Sequence, residues 1–300
     1  MKSRPLTSAA LSIGALFSLC VAAVGGEPSK AVIVDEPVPE LNPFDRAIRP
    51  ITSPTLFDLA VPRTQLHPLF MQHNLPNVVR TTLGDLPVNG DVQLYALQLE
   101  WALSDRFSLV AAKDGYAVMS PDETLSDEDG WANLSAGFKY AFLYRPEDAL
   151  AAAFNLQIEV PTGNTNVFQG EGDGVAIPSI SILKLWDRLQ FASTLGFKFP
   201  FDTDTESIML NYHAHFSYAL TDRFFPLIEL SYFNVLDEGD GGRRFHDQVG
   251  GLVPAVATFE GGDLFNLGAS NADWNEHFVS MAFGFRYRLT DNVDLGAAYE

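Results

Sequence analysis

The stretch His-Phe-Val-Ser-Met-Ala-Phe-Gly-Phe-Arg-Tyr-Arg-Leu, residues 277–289, decides the fold. Val279, Met281, Phe283, Phe285, Tyr287 and Leu289 alternate with Ser280, Ala282, Gly284, Arg286 and Arg288. Successive side chains of a strand point to opposite faces, so this pattern calls for two environments 180° apart, one apolar and one small or charged.

The same division recurs from residue 91 onward. Tyr95, Leu97, Leu99 and Trp101 oppose Gln98 and Glu100; Phe138, Tyr140, Phe142 and Tyr144 oppose Gly137 and Lys139; Phe154, Leu156 and Ile158 oppose Asn155, Gln157 and Glu159. Further on, Phe191, Leu195 and Phe197 oppose Gln190 and Lys198, and Leu210, Tyr212 and Phe216 oppose Asn211, His213 and His215. Two segments are less regular. Phe107 to Met119 carries Lys113-Asp114 in its middle, and Val175 to Trp186 alternates cleanly only around Ser179–Ile182; a bulge accounts for either.

Connections alternate in length. Short ones lie at 103–106, 145–148, 186–188, 220–223 and 289–292, and longer ones at about 120–130, 163–174, 201–206 and 237–275. Short periplasmic turns alternating with long outer loops mark a membrane barrel, whereas a soluble β-sandwich has no reason to sort its loops. The strand at 92–103 ends in a short turn, so it runs down and needs an up-strand before it, near His67 to His73. That gives about ten complete strands to Leu289 and the start of another at Val293. Because strand number in such barrels is even, the expectation is an all-β, antiparallel up-and-down transmembrane barrel of about twelve strands, with its last part beyond residue 300.

Residues 1–26 read as a signal peptide: Lys2 and Arg4 precede an apolar run, Ala9 to Val24, that ends in small residues and is too short to anchor in a bilayer. The one cysteine, Cys20, lies inside that run, so the exported part has no thiol for a disulfide or a metal site. Residues 27–65 are proline-rich and aperiodic, which suggests a periplasmic leader or a segment entering the barrel. Residues 66–300 form the barrel. A net charge of −19 argues against a nucleic-acid partner.

The repeated units Leu-Glu-Trp-Ala-Leu-Ser-Asp-Arg-Phe-Ser-Leu (99–109), Asp-Gly-Trp-Ala-Asn-Leu-Ser-Ala-Gly-Phe-Lys-Tyr (129–140), Tyr-Ala-Leu-Thr-Asp-Arg-Phe (218–224) and Tyr-Arg-Leu-Thr-Asp-Asn-Val-Asp-Leu-Gly (287–296) resemble the outer-membrane β-barrel transporters grouped under the MetA-pathway, phenol-degradation name. The resemblance covers about residues 66–300. It implies uptake of hydrophobic or aromatic compounds.

The candidate lumen-lining residues are Glu100, Lys139, Glu159, Lys198, His213, His215, Glu229, Arg286 and Arg288, with Gln98, Asn155, Gln157, Gln190 and Asn211 beside them. They either line a polar path for solute or pair across a narrow lumen and plug it. His213 and His215 share one strand face, as metal ligands would, with Glu229 as a neighbour; no third ligand is visible, and histidines bonded to their neighbours are the simpler reading. The acidic, glycine-rich loops 170–174 and 237–242 lack EF-hand spacing and read as solvated. Trp101, Tyr140, Tyr144, Trp186, Tyr218, Phe224, Tyr232 and Tyr287, near the short turns, suit an interfacial girdle.

Taken together, the sequence points to an outer-membrane channel for passive passage of small, hydrophobic or aromatic solutes. It needs no catalysis, cofactor or metal. Its partners are outer-membrane lipids, lipopolysaccharide, the solutes and, during biogenesis, the barrel-assembly machinery. The alternatives are a structural or docking barrel with a plugged lumen, using the 237–275 loop, and a lipid-modifying enzyme, which requires a serine activated by a histidine.

Overall fold

A computed structural model describes residues 16–21, 42–81, 84–170, 172–204, 206–237, 274–275 and 277–300. Its strands are β1 (Leu16–Val21), β2 (Gln65–Asn74), β3 (Val78–Thr81), β4 (Gly84–Pro87), β5 (Asp91–Ser104), β6 (Phe107–Lys113), β7 (Tyr116–Ser120) and β8 (Glu128–Trp131). They continue with β9 (Leu134–Arg145), β10 (Leu150–Val160), β11 (Val175–Trp186), β12 (Leu189–Pro200), β13 (Ile208–Tyr218), β14 (Phe224–Asp237), β15 (His277–Thr290) and β16 (Val293–Tyr299). All but the small β3–β4 hairpin belong to one antiparallel sheet.

That sheet closes on itself. From β5 it runs through β2, β1, β16 and then backward along the chain to β9 and β6, which pairs with β5 again. Closure leaves no unpaired edge, the condition for strands to cross a bilayer. β7 continues β6 past a break at Asp114–Gly115, and β8 leads into β9, so among the described residues the ring has twelve staves. The up-strand inferred near His67 is β2, and ten staves run from β2 to β15, as the alternating turn lengths require. The twelfth position, expected beyond residue 300, is held by β1, whose backbone pairs Leu16–Val21 with Ala298–Val293 on one side and Phe17 with Phe70 on the other.

The period-2 pattern sets the radial direction of each side chain. Tyr95, Leu97, Leu99, Trp101, Phe216, Phe283 and Phe285 are each 40–57% exposed on the outer surface, whereas Gln98, Glu100, Lys139, His213, His215 and Arg286 are at most 3% exposed on the inner one. In water such an apolar belt would be a large liability; facing acyl chains it is the stable arrangement. Among the described residues no helix is long and apolar enough to cross a membrane.

Two local expectations change. The break expected around Lys113-Asp114 is real, but β11 is continuous, with its alternation kept from Val175 to Trp186. Tyr144 does not join the girdle. A register shift between Ala152 and Phe154 turns the end of β9, and the Tyr144 ring packs on Phe44, with its hydroxyl accepting a bond from Asn42 Nδ2 at 2.7 Å. The long 237–275 loop, with its expected docking role, lies almost entirely outside the described residues.

Candidate functional site

Residues 42–62, read from sequence as a periplasmic leader or an entering segment, lie inside the ring. Proline at positions 43, 50, 54 and 62 keeps this stretch from pairing as a strand, because proline lacks the N–H of a ladder. It begins with a 3-10 turn, Pro43–Arg46, capped by the Asn42 side chain on Phe44 N–H, and turns again at Ser53, whose carbonyl accepts from the N–H groups of Leu56 and Phe57, each at 2.9 Å. Its apolar residues Phe44, Ile48, Ile51, Phe57, Leu59 and Ala60 are at most 1% exposed. Phe44, Phe57 and Leu59 pack with Ala141, Ala151, Leu183 and Ala192, and Ile48 and Ile51 pack with Phe225, Leu227 and Ala298.

A chain without its own ladder must satisfy its backbone groups elsewhere, and here inward side chains of the staves do so. Gln190 of β12 accepts from Ile48 N–H at 2.9 Å and donates to Ile48 O at 2.7 Å. Arg286 of β15 donates to Arg49 O at 2.5 Å and to Pro50 O at 2.8 Å. Glu229 of β14 accepts from Ile51 N–H at 3.0 Å, Thr52 N–H at 2.7 Å and Thr52 Oγ1 at 2.6 Å. Ser53 Oγ lies 3.2 Å from Ser231 Oγ, Gln98 Nε2 donates to Pro54 O at 2.8 Å, and Gln157 Nε2 donates to Thr55 O at 3.2 Å. Eight consecutive residues, 48–55, are thus held by six side chains from five different staves. Gly296 leaves the room: a Cβ there would stand 3.0 Å from Ile51 Cδ1 and 3.3 Å from the Arg286 guanidinium.

Charges are paired between segment and wall. Asp58 is bonded to Arg49 at 3.1 Å and to Lys139 at 2.8 Å, and Lys139 reaches Glu100 at 2.9 Å. Glu100 also accepts from Ser108 Oγ at 2.6 Å and Gln65 Nε2 at 2.8 Å, and Arg49 contacts His67 Nδ1 at 2.8 Å. Burial raises the Asp58 pKa, but Arg49 and Lys139 outweigh it and hold the carboxyl well below the usual carboxylate range. A depressed pKa means that its contribution to stability is present above the ordinary carboxylate value and is lost only as pH falls through the lower folded one. Mild acid therefore leaves the Asp58 carboxylate charged.

The remaining candidates fall into two other groups. Toward the loop end, Glu159 binds Lys113 at 2.6 Å and Asn133 Nδ2 at 2.9 Å, with the buried Lys198 adding positive charge nearby. Toward the turn end, Arg288 is partly exposed, pairs with Asp294 at 3.2 Å and reaches Arg46 O at 3.2 Å. His215 lies between Glu229 at 2.7 Å and Ser217 Oγ at 2.9 Å. His213 bonds Ser231 Oγ at 2.9 Å and stacks on Phe57. The two histidines share a face but are engaged separately, and among the described residues there is no group of three or more His, Cys, Asp or Glu that could hold a metal. Ser217, His215 and Glu229 form a hydrogen-bonded row of the kind that activates a serine. All three are buried, however, and the carboxylate is committed to Ile51 and Thr52.

Arg49 and Asp58, which carry two of these ion pairs, were not singled out from the sequence, and Lys113 was noted only as a break in its strand. Their signal is weak. Arg49 and Asp58 are lone charges in an aperiodic apolar stretch, and such a stretch is more apolar than a solvated leader needs to be.

The fold and its occupied polar interior define a transmembrane β-barrel. The chain belongs to the family described as Putative MetA-pathway of phenol degradation, which matches residues 71–298. Among solved structures, an outer membrane channel from Pseudomonas putida F1 is similar in fold at 12% identity, with 99% of each chain covered and a TM-score of 0.50. The KdgM porin matches 57% of this chain and 85% of its own at 12% identity and a TM-score of 0.31. Among curated proteins none matches.

Proposed function

We propose that this protein is an outer-membrane channel for passive passage of small, hydrophobic or aromatic solutes, with residues 42–62 as a plug. The observation that carries the reading is the closed antiparallel ring, apolar outside and polar inside. The family to which the chain belongs is named for phenol degradation, which supports the solute class. No step calls for catalysis or a cofactor. Outer-membrane lipids and lipopolysaccharide surround the belt, and the barrel-assembly machinery inserts it. The occupied lumen favours a second reading, a closed structural or docking barrel. Uptake of radiolabelled phenol by cells with and without the protein separates the two: slower uptake without it is expected, and equal rates would leave only the docking reading.

Export is part of the proposal. Cleavage between Ala22 and Gly26 removes the residues of β1, which leaves eleven staves and, between β2 and β16, the place of one further strand. Mass spectrometry of the protein from outer membranes should find an N-terminus at residues 23–27. A protein that keeps residues 16–21 would make β1 a permanent stave and end the signal-peptide reading.

A further inference from the structure

Five short turns join the staves at one end of the barrel, and three of them repeat one unit. Ser104-Asp105-Arg106 precedes Phe107 of β6, Trp186-Asp187-Arg188 precedes Leu189 of β12, and Thr221-Asp222-Arg223 precedes Phe224 of β14. In each, the residue after the arginine is the ladder partner of a tyrosine on the next stave: Phe107 faces Tyr140, Leu189 faces Tyr218 and Phe224 faces Tyr287. The residue after each tyrosine then closes the unit by donating its N–H to the arginine carbonyl, Ala141 to Arg106, Ala219 to Arg188 and Arg288 to Arg223, all at 2.8 Å. One backbone geometry thus brings an aspartate, an arginine and a tyrosine together at three places on the rim.

These side chains face outward and are not used within the chain. Asp105, Arg106, Asp187, Arg188, Asp222 and Arg223 are all exposed, and among the described residues none of the six is in an ion pair. The three tyrosines are 37–46% exposed at the end of the apolar belt, where Trp101, Leu103, Trp186 and Leu220 are exposed beside them. That is the depth of the lipid headgroups, which amphipathic rings prefer. The other two turns lack the unit. Arg145 of the β9–β10 turn is paired with Asp148 at 3.7 Å, and the β15–β16 turn has Asn292 where the unit has arginine.

A phospholipid headgroup supplies the complement. A guanidinium group matches phosphate with two parallel N–H donors, and a tyrosine hydroxyl adds a third. The aspartate beside each arginine makes the unit neutral, which disfavours a headgroup of net negative charge and suits one that carries an ammonium group beside its phosphate. Free phosphate is a poor competitor, because an exposed arginine gains little from an ion in salt solution. A lipid brings its phosphate to the rim anchored by acyl chains that already lie on the belt.

We propose that the three units, Asp105–Arg106–Tyr140, Asp187–Arg188–Tyr218 and Asp222–Arg223–Tyr287, are binding sites for the zwitterionic headgroup of phosphatidylethanolamine, with arginine on the phosphate and aspartate on the ammonium group. The inference rests on the reading of the belt as lipid-facing and names the lipid that its rim selects. Three such contacts hold the turns at headgroup height and so fix how deep the barrel sits.

The test is native mass spectrometry of the full chain, folded in detergent micelles and supplied with phosphatidylethanolamine or phosphatidylglycerol of the same acyl chains. The parent should retain up to three molecules of phosphatidylethanolamine and fewer of phosphatidylglycerol. Arg106→Gln, Arg188→Gln and Arg223→Gln together remove the charged donors, which is expected to weaken each site roughly tenfold and abolish retention. Arg145→Gln, in the turn already paired with Asp148, should match the parent. Asp105→Asn, Asp187→Asn and Asp222→Asn together should turn the preference toward phosphatidylglycerol. Heat-modifiable gel mobility reports folding; if the triple arginine variant does not fold, each single arginine change should lower the retained number by one. Equal retention of phosphatidylethanolamine by the parent and the folded arginine variants overturns the sites. So does retention of added inorganic phosphate with no lipid, which makes the units phosphate sites alone. The lipid-facing reading fails separately, if the full chain does not insert into vesicles containing either lipid.

Discussion

Replacing Glu229 by alanine and Arg286 by methionine together should convert a closed barrel into a conducting one. These two side chains grip four consecutive plug residues, 49–52, through five hydrogen bonds, all to charged groups. Each such bond is worth roughly 1.5–3 kcal/mol net, and the freed N–H groups of Ile51 and Thr52 then favour water over the lumen. Even a partial loss of about 4 kcal/mol shifts the closed-to-open ratio on the order of a thousandfold. The swap removes one charge of each sign, so the lumen's net charge stays the same. In planar bilayers the double variant should show frequent long openings where the parent is mostly silent. Arg288→Met is the control. It touches the plug only at Arg46 O from a partly exposed position and should leave conductance near the parent level.

The second large effect is on stability. Lys139→Met leaves Glu100 buried without its cation and Asp58 with Arg49 alone. Removing one partner from a buried pair typically costs about 3–5 kcal/mol, whereas replacing both partners can be close to neutral. Urea unfolding followed by heat-modifiable mobility should therefore show a large loss in Lys139→Met and a much smaller one in Lys139→Met/Glu100→Gln. If the double variant is no more stable than the single one, Glu100 is not the charge that Lys139 compensates.

The wall of this barrel was legible because its physics is periodic. A stave between lipid and a polar interior must alternate, and Gln98, Gln157, Gln190, Glu229 and Arg286 could be picked out as inward-facing from alternation alone. The parity of turn lengths even located β2, whose own sequence, with Pro68 and two histidines, alternates poorly. What those inward residues hold was not legible. The plug makes its bonds to side chains and not to a ladder, so no period marks it, and its prolines read as the sign of an extended leader. Tyr144 was misplaced for a related reason: a single-residue bulge reverses the phase of everything beyond it, and nothing in Ala141-Phe142-Leu143 announces one.

The break at Asp114–Gly115 falls between these cases. The charged pair Lys113-Asp114 inside an apolar strand marked the position and suggested a bulge. Only the structure shows that Lys113 turns inward to Glu159 while Asp114 stays in the wall as a substitute acceptor for Leu97.

Residues 42–62 occupy the lumen of the membrane-embedded barrel, and the rest of the functional reading depends on that placement. Ser53 and Ser231 test it most directly, because their hydroxyl oxygens lie 3.2 Å apart, one on the plug and one on β14, and the chain's single cysteine is Cys20. In the Ser53→Cys/Ser231→Cys variant, mild oxidation of intact outer membranes should form a disulfide, seen as a mobility shift on a nonreducing gel, and the linked protein should pass no solute until it is reduced. Two free thiols after oxidation, with the one introduced at position 53 open to a bulky water-soluble maleimide, would place the segment outside the barrel and contradict the account.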